Sequence, residues 1–283
     1  MMSLAPQLAR WIASGEPVII VTIAGAVGST PREAGATMLA TPSATLGSIG
    51  GGQLEFHAID VAHAMISDGE AERTLELPLG PQLGQCCGGR VTIALKRAGA
   101  SDIAALRAAD AEASAREPPI IVCGAGHTGR ALVKLLAAMP AKASLIDDRE
   151  GVFDGLPDNI RCERLDDPGD AVAAAEPGSA FVILTHSHAL DYRLADQALA
   201  RGDAAYVGMI GSATKRARFE KWFLQRGGTK DALQRFTCPI GGAGVSDKRP
   251  EVIAALTLGE LVRALFAGGR ATMEGEGRNG RAA

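Results

Sequence analysis

The chain has 283 residues, a formal net charge of −3 and a 47% hydrophobic share. That length buries a substantial core in one large domain or two medium ones, and the balanced charge gives no sign of the basic face that nucleic-acid binding needs. Thirty-five glycines beside 4% aromatics suit tight, ligand-hugging loops, and suit a GC-rich genome equally well.

In chain order, the first thirty residues carry no charged segment followed by an apolar run, so no secretory leader is expected. Leu4 to Ser14 has the spacing of a short amphipathic helix closed by Gly15, and Pro17-Val-Ile-Ile-Val-Thr-Ile23 has the β-branched density of a buried strand. The strongest apolar stretch, Pro17 to Ala26, is far too short to span a bilayer, so no membrane partner is expected. A loop over Gly25–Gly35 precedes a strand at Ala36–Ala40. A second loop, Gly47-Ser-Ile-Gly-Gly-Gly-Gln53, leads into a helix from about Leu54 to Ser67. Arg73–Leu77 and Val91–Lys96 read as strands around a loop that contains Cys86-Cys-Gly-Gly89. Residues 1–100 therefore form a small α+β domain, followed by a connecting helix and linker over 101–118 that ends at Pro118-Pro119.

From there the pattern changes to strand, glycine turn, helix, strand, which predicts a parallel α/β sheet over 119–268. Ile120–Cys123, Ala143–Ile146, Phe181–Thr185 and Ala205–Ile210 are its strands, and Thr128–Met139 is its first helix. Residues 269–283 lack periodicity and are expected to be disordered. The fold class is thus α/β, with the α+β domain first and a Rossmann-like parallel-sheet domain second.

Two regions carry candidate chemistry. Gly124, Gly126 and Gly129 form a G-x-G-x-x-G turn between strand and helix, with His127 inside it. Asp147 ends the next strand at about the 20-residue interval expected of a ribose-binding acid. Backbone amides there can approach a pyrophosphate closely, so NAD(P) is one expected ligand. The glycines equally permit helix and strand to pack. His186, His188 and Asp191 lie beyond a strand end, where a metal, a polar ligand or plain helix entry are the alternatives. Lys215, Arg216 and Arg218 either hold an anion or form an exposed face. The other region is the first domain. Gly50, Gly51, Gly52 and Gln53 offer amides at a helix N-terminus to an anion, with Arg32 able to add a charged hydrogen bond. The alternative is a packing turn.

Five cysteines at irregular spacing, in a chain too large to need stapling, point to a reducing, cytoplasmic setting. The adjacent pair Cys86-Cys87 suits soft-metal ligation or sulfur transfer, and two inert thiols are the alternative. Cys123 and Cys162 read as structural, and Cys238 fits either a structural or a functional reading.

Seven segments in order resemble the XdhC/CoxI family: Gly28-Ser-Thr-Pro-Arg32, Gly47 to Glu55, Gln85-Cys-Cys-Gly-Gly89, Cys123 to Gly129, Thr185-His-Ser-His-Ala-Leu-Asp191, Gly208-Met-Ile-Gly-Ser212 and Cys238-Pro-Ile-Gly241. The resemblance runs from about Leu8 to Leu265. It implies a non-enzymatic accessory protein that binds molybdenum cofactor (molybdopterin, held transiently), protects its sulfurated form and delivers it to a xanthine dehydrogenase apoenzyme. A cysteine desulfurase is the implied sulfur donor. Some relatives carry cysteine where this chain has Gln53, which points to the xanthine-dehydrogenase branch and weakens any metal role for the Gly50 loop. Cys86 and Cys87 are then the expected contacts to the metal or its sulfur, and the Gly50 loop the expected contact to the phosphate. An NAD(P)-dependent oxidoreductase and a persulfide sulfurtransferase are the competing readings. A homodimer is expected, as for many α/β proteins.

Overall fold

The computed structural model describes residues 3–80, 88–242 and 244–267. Cys86, Cys87 and the 269–283 tail therefore lie outside the described residues. The chain divides into two compact units, with the boundary between Ala115 and Arg116.

The first unit is built on a five-stranded antiparallel sheet of β1 (Ile19–Val27), β2 (Thr37–Ala40), β3 (Thr45–Gly47), β4 (Glu72–Pro78) and β5 (Arg90–Arg97), in the order β3-β2-β1-β5-β4. Alternation along β1 drives both faces. Ile19, Val21 and Ile23 pack with Leu54, Ala58, Ala62 and Met65 of α2 (Gly52–Asp68). These helix residues recur on a single stripe. Val18 and Ile20 face the other way, where Leu8 of α1 (Ala5–Ala13) and Ile103 and Leu106 of α3 (Ala100–Ala115) cover them. The segment read as a connector thus packs on the first unit's sheet and on α1. Strand β1 outruns its sequence expectation by four residues, because it continues past Ile23 through an irregularity before Gly25 and stays paired with β5 as far as Val27 opposite Arg90. Glycine inside a strand commonly marks such a bulge.

The second unit holds six parallel strands: β6 (Pro119–Cys123), β7 (Lys142–Asp147), β8 (Arg161–Arg164), β9 (Ala180–Ile183), β10 (Tyr206–Met209) and β11 (Phe236–Thr237). Their order is β11-β10-β9-β6-β7-β8, the arrangement of a Rossmann sheet. Both faces are covered, as a parallel sheet requires. Ile120 and Val122 pack with Leu132, Val133 and Leu136 of α4 (His127–Leu136) and with Ala254 and Leu261 of α9 (Pro250–Phe266). On the opposite face, Ile121 and Cys123 pack with Val172 of α5 (Gly169–Ala174), Leu194 and Ala198 of α6 (His188–Ala200), Phe219 and Phe223 of α7 (Ala213–Gln225) and Leu233 of α8 (Lys230–Leu233). The strand order reverses between β6 and β9, and the carboxyl ends there frame the crevice where such sheets bind ligands. Among the described residues, no helix is long and apolar enough to cross a membrane.

Candidate functional site

In the first unit, three glycine segments far apart in sequence meet at one end of the sheet. Gly28 abuts Gly89, a Cβ on it lying 3.2 Å from the Gly89 Cα. Gly89 in turn presses on the Val27 and Ser29 carbonyls so closely that no side chain fits. On the other flank, a Cβ on Gly50 would sit 2.8 Å from the Pro31 ring and 3.5 Å from Arg32 Cγ. Arg32 and the Gly50 loop are therefore neighbours, and the residues that follow Cys86-Cys87 are held against the Gly28 turn. Arg32 is exposed, as are Gly52 and Gln53.

Three of the loop's amides, those of Ile49, Gly50 and Gly51, are already in use. Gly50, Gly51 and Gly52 all adopt positive φ (130°, 77° and 64°), a path that only glycine follows without strain. The N-cap of α2 is Gly51, which has no side chain to cap the helix. Glu55, in the first turn of the helix, reaches back to brace the loop that precedes it. Its Oε2 accepts from Ser48 Oγ at 2.7 Å, the Gly51 amide at 3.1 Å and the Ile49 amide at 3.2 Å, while the Gly50 amide donates to Ser48 Oγ at 3.1 Å. A carboxylate of the chain itself thus takes the Ile49 and Gly51 amides, and a phosphate drawing on those two would have to displace it. Sequence motifs alone do not mark Glu55 as part of the site. The signal that could have singled it out is a helix opening on three glycines with an acid in its first turn.

In the second unit the three glycines of the turn differ in cause. Gly124 has φ +122° and lies under the Leu184 carbonyl, and a Cβ on Gly129 would strike the Gly124 carbonyl. Both are demanded by packing. Gly126 is different: nothing lies within 4 Å of a Cβ there, so its backbone is open to an approaching ligand. It forms the N-cap of α4, and His127, exposed, begins the helix.

Asp147, 3% exposed, is fully engaged within the fold. Oδ2 accepts from the Ala125 amide at 2.6 Å, and Oδ1 accepts from the Arg149 amide at 2.9 Å. The Arg149 guanidinium completes a bidentate pair at 2.8 and 2.9 Å. Burial opposes ionisation, but the Arg149 side chain and the two amides outweigh it and hold the carboxyl at about 2. Asp147 therefore pins the glycine turn to β7. Next to it, Asp148 Oδ1 lies 3.6 Å from His186 Nδ1. Since β6 sits between β7 and β9, this contact reaches across the carboxyl end of β6, beside the glycine turn.

Asp191, 1% exposed, accepts from Lys215 Nζ at 2.6 Å, Thr185 Oγ1 at 2.8 Å and the Thr185 amide at 2.9 Å. It forms a buried ion pair and is not available as a metal ligand. Among the described residues, no group of three or more His, Cys, Asp or Glu is placed to share a metal ion. Cys123 is wholly buried, and burial, with Asp191 and Asp147 nearby, pushes its thiol up to about 12. Burial likewise pushes Cys238 up to about 11, against the opposing pull of Lys215 and Arg216. Neither is a ready nucleophile.

Comparison with known proteins agrees with this architecture. Residues 120–261 match the family model described as the XdhC Rossmann domain, and residues 11–77 match that of the XdhC and CoxI family. The chain is 23% identical over 276 residues to the uncharacterized protein YqeB of Escherichia coli strain K12, covering 93% of this chain and 46% of YqeB. It thus spans about half the length of that curated relative. Among solved structures it is similar to a xanthine dehydrogenase from Bacillus halodurans, with TM-score 0.76 and 18% identity over 96% of this chain and 98% of that one. At that identity the likeness speaks for the fold alone.

Proposed function

Because the chain belongs to the XdhC and CoxI family, we propose that it is an accessory protein of xanthine-dehydrogenase maturation. In this reading it binds molybdenum cofactor as cargo, shields the sulfurated form and passes it to the apoenzyme, with a cysteine desulfurase supplying the sulfur. The observation that carries the reading is the convergence of the Gly28, Gly50 and Gly89 segments at one end of the first unit's sheet. A cargo with a phosphate and a dithiolene needs donors and soft groups within one small volume. Arg32 stands beside the Gly50 loop as the phosphate's cation. The thiolates of Cys86 and Cys87, which precede Gly88-Gly89, are assigned to the metal or its sulfur. Glu55 then acts as a placeholder that keeps the loop formed until the cargo's phosphate competes for it.

An oxidoreductase working through the second unit is less well supported. The open backbone at Gly126 favours a nucleotide, but the acid that would take the ribose is bound to Arg149. A persulfide carrier would use the same cysteines.

The test is direct binding. After incubation with molybdenum cofactor and desalting, the wild-type protein should retain pterin fluorescence and molybdenum together, and C86A/C87A should bind at least roughly tenfold more weakly. Blank readings on both signals for the wild type would end the carrier reading. Unchanged binding by the double variant would remove the cysteines from the site.

A further inference from the structure

The carboxyl edge of the second unit's sheet holds a cleft that the carrier reading does not use. It lies where β9 and β10 run into α6 and α7 and has a volume of about 480 Å³, walled by His188, Tyr192, Ser212, Thr214, Lys215 and Arg218. That is within the range of small-molecule sites and far larger than a lone inorganic anion needs. No carboxylate is among its lining residues.

The cations in its wall are held in different ways. Lys215 gives one ammonium hydrogen to Asp191 at 2.6 Å and one to the Ile210 carbonyl at 2.9 Å, which leaves a third for a ligand. Its stem lies across Gly211, where a Cβ would come within 2.8 Å of Lys215 Cδ and 3.1 Å of Cys238 Sγ. Arg216 is committed elsewhere, to Glu220 at 2.7 Å and the Phe236 carbonyl at 3.1 Å. Arg218 is exposed and has no ion pair or hydrogen bond among the described residues. Tyr192 supplies an aromatic wall. Its hydroxyl donates to the Lys215 carbonyl at 3.2 Å, and its ring stands edge-on to Phe219 at 5.3 Å. The Ser212 hydroxyl accepts from the Lys215 amide at 3.2 Å, so its own hydrogen is free to point outward.

We infer that this cleft binds an organic phosphomonoester of mononucleotide size. Its phosphate is held by Arg218, the third Lys215 hydrogen and the Ser212 and Thr214 hydroxyls, and its ring lies against Tyr192. Four donor side chains thus line the same cleft. That suits the three oxygens of a phosphate better than a flat carboxylate, and guanidinium–phosphate pairing is strong and directional.

Calorimetric titration of the full chain with the four ribonucleoside monophosphates, and with adenosine as the uncharged control, tests this. At least one monophosphate should bind saturably, adenosine should not, and R218Q should weaken binding roughly tenfold or more. R218Q alters an exposed side chain, and its ligand-free melting point should match the wild type. R32Q, in the other unit, should leave the affinity unchanged. Absence of binding by all four monophosphates at millimolar concentration overturns the inference. It is equally overturned if affinity survives R218Q but falls in G126V or R32Q, since the phosphate would then sit on the glycine turn or in the first unit. Neither result bears on whether C86A/C87A loses molybdenum cofactor.

Discussion

Replacing Glu55 by alanine tests whether the Gly50 loop is held by the chain's own carboxylate. The substitution strips three donors of their acceptor: Ser48 Oγ and the amides of Ile49 and Gly51. Hydrogen bonds to a charged acceptor contribute about 1.5–3 kcal/mol each when shielded. Here the carboxylate is half-buried and water replaces part of the loss, so the sum comes to about 2 kcal/mol. For a unit of this size that corresponds to a fall in melting temperature on the order of 5–10 °C. Trp11 belongs to the first unit and Trp222 to the second, so fluorescence melting in a W222F background follows the right unit. E55Q should fall in between, since its amide keeps a single acceptor oxygen. Millimolar phosphate should raise the midpoint of E55A more than that of the wild type, because the freed amides become an anion site. A change in E55A below about 0.5 kcal/mol, the range of ordinary surface substitutions, or equal phosphate stabilisation of both proteins, would refute the reasoning.

Other consequences follow from the second unit. Because Asp147 is held at about 2 in the fold, below its usual value near 3.9, its contribution is fully present above pH 4 and is lost as pH falls toward 2. D147N should therefore cost roughly 2 kcal/mol at neutral pH, and urea unfolding should show the gap to wild type closing between about pH 4 and 2.5. G129A should fold poorly or melt far below wild type, because its Cβ strikes the Gly124 carbonyl, whereas G126A should be nearly neutral in the same melting assay.

The glycine turn was legible because β-branched strands flank it and a helix follows it, a pattern with few structural solutions. The parallel sheet, and the strands at 19–23, 37–40, 73–77 and 91–96 of the first unit, followed from the same periodicities. The edge strands of the parallel sheet were not legible. Arg161-Cys-Glu-Arg164 offers one apolar side chain to a half-covered edge, and β11 is only two residues long. Both depend on a neighbouring strand for their existence, and no local pattern encodes that. Gly25 has the sequence signature of a loop start, yet it marks a bulge in a continuing strand. At the sites, spacing alone put Asp147 on a ribose and Gly51 on a phosphate. Whether an acid or an amide is free depends on what folds back onto it, and here Arg149 and Glu55 do so from two and four residues away. The proximity of Arg32 to Gly50, and of Gly28 to Gly89, arises from strand pairing across the sheet and leaves no mark in a linear motif.

The central claim concerns delivery, so transfer is the measurement that tests it most directly. Apo xanthine dehydrogenase would be mixed with sulfurated molybdenum cofactor, with and without this protein, and the return of hydroxylase activity followed. Faster and fuller recovery with the wild-type chain, lost with C86A/C87A, is the predicted outcome. Identical recovery whether or not the chain is added would contradict the account.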